Sequence, residues 1–383
     1  MRILIVGAGP AGLTFAACLL QRGLQPTIVE KAPAARTDGY AVGLHLNGWN
    51  VADRLDVLAA LRKNAMPLGE ALYRDAAGRR LFSYDYGNIA AALGGKMIAI
   101  MRDVLQRELL QAVQSRLSIA FDTTVTRLEH RTSQVQVTFA DGSSDLFDLV
   151  VGADGIHSRV RELAFGEERE FIRPLGYRAA AWRMQTTTPL AASFVGHMAV
   201  DRQAALYRVD DEQAATLFCW RDADTAYVAP AERQAVLIQE FGGWTDDIAR
   251  AVREPIDWSR AFFDTVAQIV MPAWSNKRVV LIGDAAHCQT FFSGQGTSMA
   301  MAGAFILAEE LGRLEPQEAF AAYERRMRRT VERLQEASKL VGGKFVPTSS
   351  LGIWLQSRLA GLLLSRHFVT LFARRLQAPD LLS

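Results

Sequence analysis

Hydrophobic and polar positions along the chain follow three distinct periodicities. Ile3-Leu4-Ile5-Val6 is a continuous apolar run closed by glycine, the pattern of a parallel strand covered on both faces. Helical spacing follows over residues 13–21 with Gly23 as its stop, and Thr27-Ile28-Val29-Glu30 predicts a second strand. Strand, helix and strand within about 30 residues begin a βαβ unit. Val104, Leu105, Leu109, Leu110 and Val113 predict a helix over 103–113. Residues 134–139 alternate as a strand, Asp141-Gly142 predicts a turn, and 146–151 predicts another strand. From about 173 to 270 the pattern changes to short alternating stretches, such as 204–209 and 215–220, with tryptophans interspersed. That is a second, sheet-rich domain. Residues 277–283 return to the buried-strand pattern and 297–311 read as a small-residue helix, so the first domain is interrupted by the second.

The tail from 351 to 376 alternates apolar clusters with Arg358, Arg366, Arg374 and Arg375. A helix packed on its own protein is favoured there over a membrane-surface helix. Across all 383 residues, 43 basic side chains nearly balance 41 acidic ones. Phosphate-backbone binding needs a concentrated basic surface, so no nucleic-acid partner is expected. Cys18, Cys219 and Cys288 lie far apart with no metal-ligand spacing, which predicts a reduced protein without a metal site. No apolar run reaches the roughly 18 residues of a membrane span, and glycines and a proline interrupt the first one. A cytoplasmic protein without stable membrane insertion is the expectation.

Gly7-Ala8-Gly9-Pro10-Ala11-Gly12 stands between the first strand and the first helix. Gly7 permits the tight turn, Gly9 lets backbone approach a pyrophosphate, and Gly12 lets the helix pack on the strand. The unpaired N–H groups and partial positive charge of a helix start suit a diphosphate. Glu30, at the end of the second strand, is placed to accept hydrogen bonds from a ribose with a free 2′-hydroxyl, which selects FAD or NAD over NADP. Two later apolar strands also end in aspartate beside glycine, at Asp154-Gly155 and Gly283-Asp284. Ligands sit at strand ends of open α/β sheets, and a carboxylate there can hold the polyol chain of a flavin. Gly294-Gln295-Gly296 can turn backbone N–H groups toward a flavin ring.

With these motifs in order, the chain resembles the class A flavoprotein monooxygenases of the para-hydroxybenzoate hydroxylase fold, including tetracycline-inactivating members, over nearly its whole length. The resemblance implies an α/β architecture: a Rossmann-type FAD-binding domain, an inserted sheet-rich substrate domain and a C-terminal helix. The implied division is 1–72, 98–172 and 273–335 for the FAD-binding domain, 73–97 and 173–272 for the substrate domain, and 336–383 for a C-terminal helical segment. It implies FAD contacts from Gly7, Gly9, Gly12, Glu30, Lys31, Arg102, Val125, Asp154, Asp284, Gly294, Gln295 and Gly296, with Gly43 in the loop near the isoalloxazine ring. Three positions depart from the family pattern. Cys288-Gln289-Thr290-Phe291-Phe292 replaces a stretch that usually contains proline, Gly303 stands where many members have aspartate, and His45 where arginine is often found.

The implied activity is hydroxylation: NADPH or NADH reduces the flavin, dioxygen forms a C4a-hydroperoxide, and one oxygen atom passes to an aromatic or polycyclic small molecule. The cofactor supplies the reactivity and the protein supplies orientation and a dry pocket. Phe194, Met198, Tyr207, Phe218, Trp220, Phe291 and Phe292 are candidate substrate-pocket residues. His45 is a weak candidate for a catalytic base and His197 a weaker one, since a structural histidine is commoner than a catalytic one. Arg36 is a candidate contact for a nicotinamide-cofactor phosphate, equally a solvated arginine. Competing readings are a flavin reductase or halogenase of the same fold, and a non-catalytic flavin-binding protein. The Trp-x-Trp-x-Ile-Pro motif of many halogenases is absent. A monomer or a homodimer is compatible with the sequence.

Overall fold

The computed structural model describes residues 1–35, 39–187, 189–244, 246–363 and 378–383. Arg36, Arg366, Arg374 and Arg375 therefore lie outside the described residues. Among the described residues, six strands form the first sheet in the order Ser275–Asn276, Val279–Leu281, Leu149–Gly152, Ile3–Val6, Thr27–Val29 and Ile119–Ala120. All pair in parallel except Ser275–Asn276, which runs antiparallel to Val279–Leu281. The strands Ile3–Val6, Leu149–Gly152 and Val279–Leu281 are buried throughout. That is the reason each reads as a continuous apolar run. Their register sets Val6 beside Gly152 and Gly152 beside Leu281, so three neighbouring strands end level.

The single strand expected over 146–151 is two. Ser144–Phe147 belongs to an antiparallel sheet with Val135–Phe139, while Leu149–Gly152 joins the parallel sheet. Asp148 separates them, its carboxylate accepting the Arg2 N–H at 2.7 Å. An apolar run cannot register this break, because Phe147 and Leu149 on either side of Asp148 are both buried.

The second sheet has eight strands among the described residues and draws on two stretches of chain. Glu70–Asp75 and Arg80–Asp85 lie at one edge, joined in parallel through Phe194–Ala199 to the antiparallel run of Arg202–Arg208, Gln213–Arg221, Ile172–Ala181 and Phe262–Ile269. Arg183–Gln185 pairs beside Gln213–Arg221. Side chains alternate across the sheet with period two. Ala204, Leu206, Phe218 and Trp220 point to one face, where helices Pro230–Phe241 and Asp246–Arg253 cover them with Leu237, Phe241, Ile248 and Val252. Phe241 lies edge-on to both Phe218 (4.9 Å between centroids) and Trp220 (5.8 Å). Burial of each such side chain stabilises the sheet–helix layer by about 1.5–3 kcal/mol. The opposite face turns toward the first sheet.

The helix Pro316–Phe345 runs through the position where a separate C-terminal segment was expected to begin, and Ser350–Leu363 follows it. Residues 378–383 are not helical, which corrects the expectation for the end of the chain. Among the described residues, no helix is long and apolar enough to cross a membrane. Gly303 sits where the helix Gly296–Leu311 meets Pro316–Phe345: an added Cβ would lie 3.3 Å from the Tyr323 ring and 3.4 Å from Met327. An aspartate here would put an unpaired carboxylate into that contact. Gly303→Asp is expected to destabilise the fold by about 2 kcal/mol or more. Urea denaturation checks this, and an unchanged midpoint would contradict the packing described.

Candidate cofactor and substrate cleft

A cavity of about 460 Å³ runs from the glycine turn at Gly7 to the second sheet. At its floor the helix Pro10–Gln21 starts where the strand Ile3–Val6 ends, with Gly9 as its cap and no side chain satisfying its first N–H groups. Gly7 holds φ +106°, and a Cβ there would lie 2.5 Å from the Ala153 carbonyl, so the turn is open only to glycine. Gly12 does not line the cavity. A Cβ on it would lie 2.0 Å from the Gly7 carbonyl, so its part is to bring helix and strand together.

The Glu30 carboxylate accepts N–H groups from Ala8 at 2.8 Å and Ala32 at 2.9 Å, which ties the turn to the second strand. An ionised carboxylate has about four acceptor positions, so two remain for ribose hydroxyls on the cavity side. Lys31 lines the cavity beside it and is exposed. Arg102 begins the helix Arg102–Gln114, lies 5.9 Å from the centre of the Tyr40 ring, and brings its Nη2 to 4.0 Å from where a Gly9 Cβ would be. A cation thus stands beside the N-terminus that suits a diphosphate. One helical turn on, Gln106 is buried, donates to the Ala8 carbonyl at 3.0 Å, and leaves its Oε1 without a partner among the described residues. Sequence reasoning missed Gln106. Its signal was the i+4 spacing from Arg102 on one helix face.

The two strand-end aspartates differ. Asp154 accepts the Ser158 hydroxyl at 2.5 Å and the Val160 N–H at 3.1 Å, so its carboxylate is committed to the start of the helix Arg159–Phe165. Burial raises its pKa against those hydrogen bonds. Asp284 opens onto the cavity while protein surrounds it on all other sides; burial raises its pKa and the Arg102 charge opposes the rise. Both line the cavity, Asp154 half-buried and Asp284 the more open of the pair.

Gly43 and Gly294 face each other across the cavity wall, a Gly43 Cβ lying 3.0 Å from the Gly294 carbonyl. Gly296 also lines the wall, at the start of the helix Gly296–Leu311. Gln295 turns away instead, its Oε1 accepting the Ala378 N–H at 2.9 Å. The same tail binds Asn47, which donates to the Pro379 carbonyl and accepts from the Leu381 N–H, each at 2.9 Å. Residues 378–383 therefore strap the start of the helix Leu46–Arg54 to the start of the helix Gly296–Leu311, a role no local pattern announces.

His45 lies behind these glycines rather than in the cavity. Burial pushes its pKa down to about 4 against a hydrogen bond to the Gly294 backbone. A neutral ring tied to backbone holds the loop and is poorly placed as a base for a substrate. His197 is buried in the strand Phe194–Ala199 away from the cavity, and burial holds it at about 4 as well. Val125 is a core residue packed near Val135 and Val137; Thr124 lines the cavity in its place.

Of the expected substrate-pocket residues, Tyr207 and Phe291 line the cavity, with Leu217 and Phe262 beside them. Phe194 stands edge-on to Tyr207 at 4.9 Å, and Phe292 packs on Tyr177 at 5.4 Å, both one layer back. Met198 is likewise withdrawn, packed with Phe82 and Ala360. Phe218 and Trp220 are on the helix-covered face of the sheet, both packed against Phe241.

At the junction of the two sheets, His157 bonds through Nε2 to Asp264 at 2.9 Å and through Nδ1 to Glu168 at 3.0 Å. Glu168 also accepts from the buried Arg161, which reaches the Ala285 carbonyl at 3.1 Å. The hydrogen bond to Asp264, opposed by partial desolvation and aided by the charges of Asp264 and Glu168, raises the His157 pKa to about 9.

Strand ends, helix start, acid and arginine define a dinucleotide-binding protein whose cleft continues into a second, substrate-facing sheet. The family described as FAD binding domain matches residues 1–338, and the chain belongs to it. An uncharacterized protein of Mycobacterium tuberculosis (strain ATCC 25618 / H37Rv) is 32% identical over 363 residues, covering 90% of this chain and 95% of that protein. A flavin-dependent monooxygenase from an unknown prokaryotic organism is 28% identical, covering 91% of each. Among solved structures, tetracycline destructase Tet(51) superposes with TM-score 0.83 at 26% identity over 99% of each chain. Klebsiella pneumoniae HpxO complexed with FAD and uric acid shares the fold at TM-score 0.83 and 22% identity, over 100% of this chain and 98% of that one.

Gly12→Val is expected to push the first helix off its strand, lowering stability by about 1–3 kcal/mol and the flavin-to-protein ratio of purified protein well below that of wild type. A normal ratio would contradict the geometry. For His157 the folded pKa lies above the ordinary value near 6.5. Its contribution is full below about pH 6.5 and is lost as pH rises through about 9. The Tm difference between wild type and His157→Asn is expected to shrink from pH 6 to pH 10, and a constant difference would contradict the bridge.

Proposed function

We propose that this protein is an NAD(P)H-dependent monooxygenase that inserts one oxygen atom of O2 into an aromatic or polycyclic small molecule held between the flavin and the second sheet. The observation that carries the reading is the continuity of one cavity from the Gly9 helix start to Tyr207, Leu217 and Phe262 on that sheet. The fit of FAD rests on the unpartnered Gln106 Oε1, the uncapped N–H groups at Gly9, and the Asp284 carboxylate turned to the cavity. When bound there, FAD supplies hydride acceptance from NAD(P)H and activation of dioxygen. The balance is substrate C–H, O2, NAD(P)H and H⁺ in; substrate C–OH, NAD(P)⁺ and water out.

The chain's own residues bind, orient and exclude water. The N–H groups at Gly9 and the Arg102 charge would hold the diphosphate, Glu30 a ribose, and Asp284 the polyol. Gly43 and Gly294 pack closely on each other and on His45 to form one wall for a planar ring, and the uncapped start of the helix at Gly296 offers N–H groups where negative charge accumulates on reduction. Tyr207, Phe262 and Phe291 would cover the substrate and keep water out. Burial holds the Tyr207 hydroxyl well above its ordinary pKa, so it stays protonated and can donate a hydrogen bond to a substrate oxygen. Relatives named flavin-dependent monooxygenase and tetracycline destructase support the reaction class and a polycyclic substrate.

The test is oxygen uptake by the FAD-loaded protein with NADH or NADPH and a panel of aromatic and polycyclic compounds. Product mass and hydrogen peroxide are followed together. Coupled NAD(P)H and O2 consumption with a product heavier by one oxygen atom is expected. Equal turnover without oxygen would instead mark a reductase, and a flavin that neither nicotinamide reduces would mark a non-catalytic binder.

A further inference from the structure

Gln289 and Thr290 concentrate three buried polar atoms that nothing among the described residues satisfies. Both residues line the cavity, with Gln289 1% and Thr290 7% exposed. Neither the Nε2 nor the Oε1 of Gln289 has a hydrogen-bond partner, and neither does the Thr290 hydroxyl. Thr290 also holds φ +80°, a left-handed conformation that a β-branched residue rarely adopts. Buried polar groups are nearly always paired, and strained backbone gathers where ligands are gripped.

The surrounding backbone keeps the segment from relaxing. The Cys288 carbonyl accepts from the Ile269 N–H at 3.2 Å and from Gln335 at 3.0 Å, and the Gln289 carbonyl accepts from Gln268 at 3.4 Å. On the other side, the Thr290 carbonyl accepts the Ser293 hydroxyl at 3.0 Å and the Phe291 carbonyl the Gly294 N–H at 2.9 Å. The pair is thus pinned between the strand Phe262–Ile269 of the second sheet and the Gly294 turn, where the proposed ring and the proposed substrate meet.

Building on the monooxygenase reading of this cleft, we propose that Gln289, assisted by Thr290, is the specificity-determining residue and that it reads a planar substrate through an edge pairing a carbonyl with a neighbouring ring N–H or O–H. A carboxamide presents one acceptor and one donor side by side, the complement of a lactam or hydroxy-carbonyl edge. The threonine hydroxyl adds a group that can donate or accept beside it. A substrate lacking that edge leaves the amide unpaired, which is the costly outcome for a buried site. The flavin carries a lactam edge of its own, so the same chemistry could come from either source.

The test uses the FAD-loaded full chain, titrated calorimetrically with 2-quinolone and with N-methyl-2-quinolone, which lacks the N–H. Wild type is expected to bind 2-quinolone at least about tenfold more tightly. In Gln289→Leu the two should bind within about threefold of each other while FAD affinity stays within about threefold of wild type. Gln289→Met, closer in shape, gives the same comparison should the leucine variant fail to fold. Wild-type protein that binds neither probe, or binds both equally, overturns the proposal, as does discrimination that survives both variants. Loss of FAD affinity with discrimination intact assigns the amide to the flavin and also overturns it. Failure of wild type to take up FAD at all overturns the cofactor reading beneath it, a separate result seen before any probe is added.

Discussion

The close approach of the first helix to the first strand governs the whole cleft. With Gly12 against the Gly7 carbonyl, the helix starts within one turn of the strand end and its free N–H groups face the level ends of three parallel strands. Any Cβ at Gly12 would move that start outward, away from Glu30, Arg102 and Asp284. Backbone dipoles, two acids and one arginine then surround the same space because the sheet register brings their loops together. None of them needs a special conformation beyond the turn itself.

A second constraint sets where that space leads. Period-two alternation in the strand Gln213–Arg221 sends Phe218 and Trp220 into the helix-covered core and Leu217 toward the cavity, beside Tyr207 of the next strand. The sheet therefore spends its largest side chains on its own stability and offers a thinner aromatic wall to the cleft. His157, Glu168 and Arg161 join this sheet, through Asp264, to the loops after the strands Leu149–Gly152 and Val279–Leu281. The cofactor loops and the substrate wall are thus held at a fixed separation by charge-assisted hydrogen bonds rather than by apolar packing alone.

What was legible in the sequence was local. The glycine turn, Glu30 and the buried strands each declare themselves through neighbours a few residues away, and the parallel sheet followed from them. Arg102 was found through resemblance, whereas Gln106 was missed although it lies one turn further on the same helix. Asp154 and Asp284 look alike in sequence and both line the cavity, yet the carboxylate of one is hydrogen-bonded to a helix that begins five residues later and the other is more open. Phe218 and Trp220 went to the wrong face because alternation says which residues share a face, not which face is covered. The strap of residues 378–383 on Asn47 and Gln295 spans more than 80 positions of chain, so no spacing rule reaches it. The departure at Cys288-Gln289-Thr290 was visible, but its unpaired buried atoms are a property of packing.

The most direct test of the account is a crystal structure of the protein with FAD bound. The diphosphate is predicted at the N–H groups of the helix that starts at Pro10, a ribose at Glu30, the polyol at Asp284, and the flavin ring against the wall that Gly43 and Gly294 form together, facing Tyr207 and Phe262. FAD bound with its diphosphate away from that helix, or with its ring turned from the second sheet, would contradict the account.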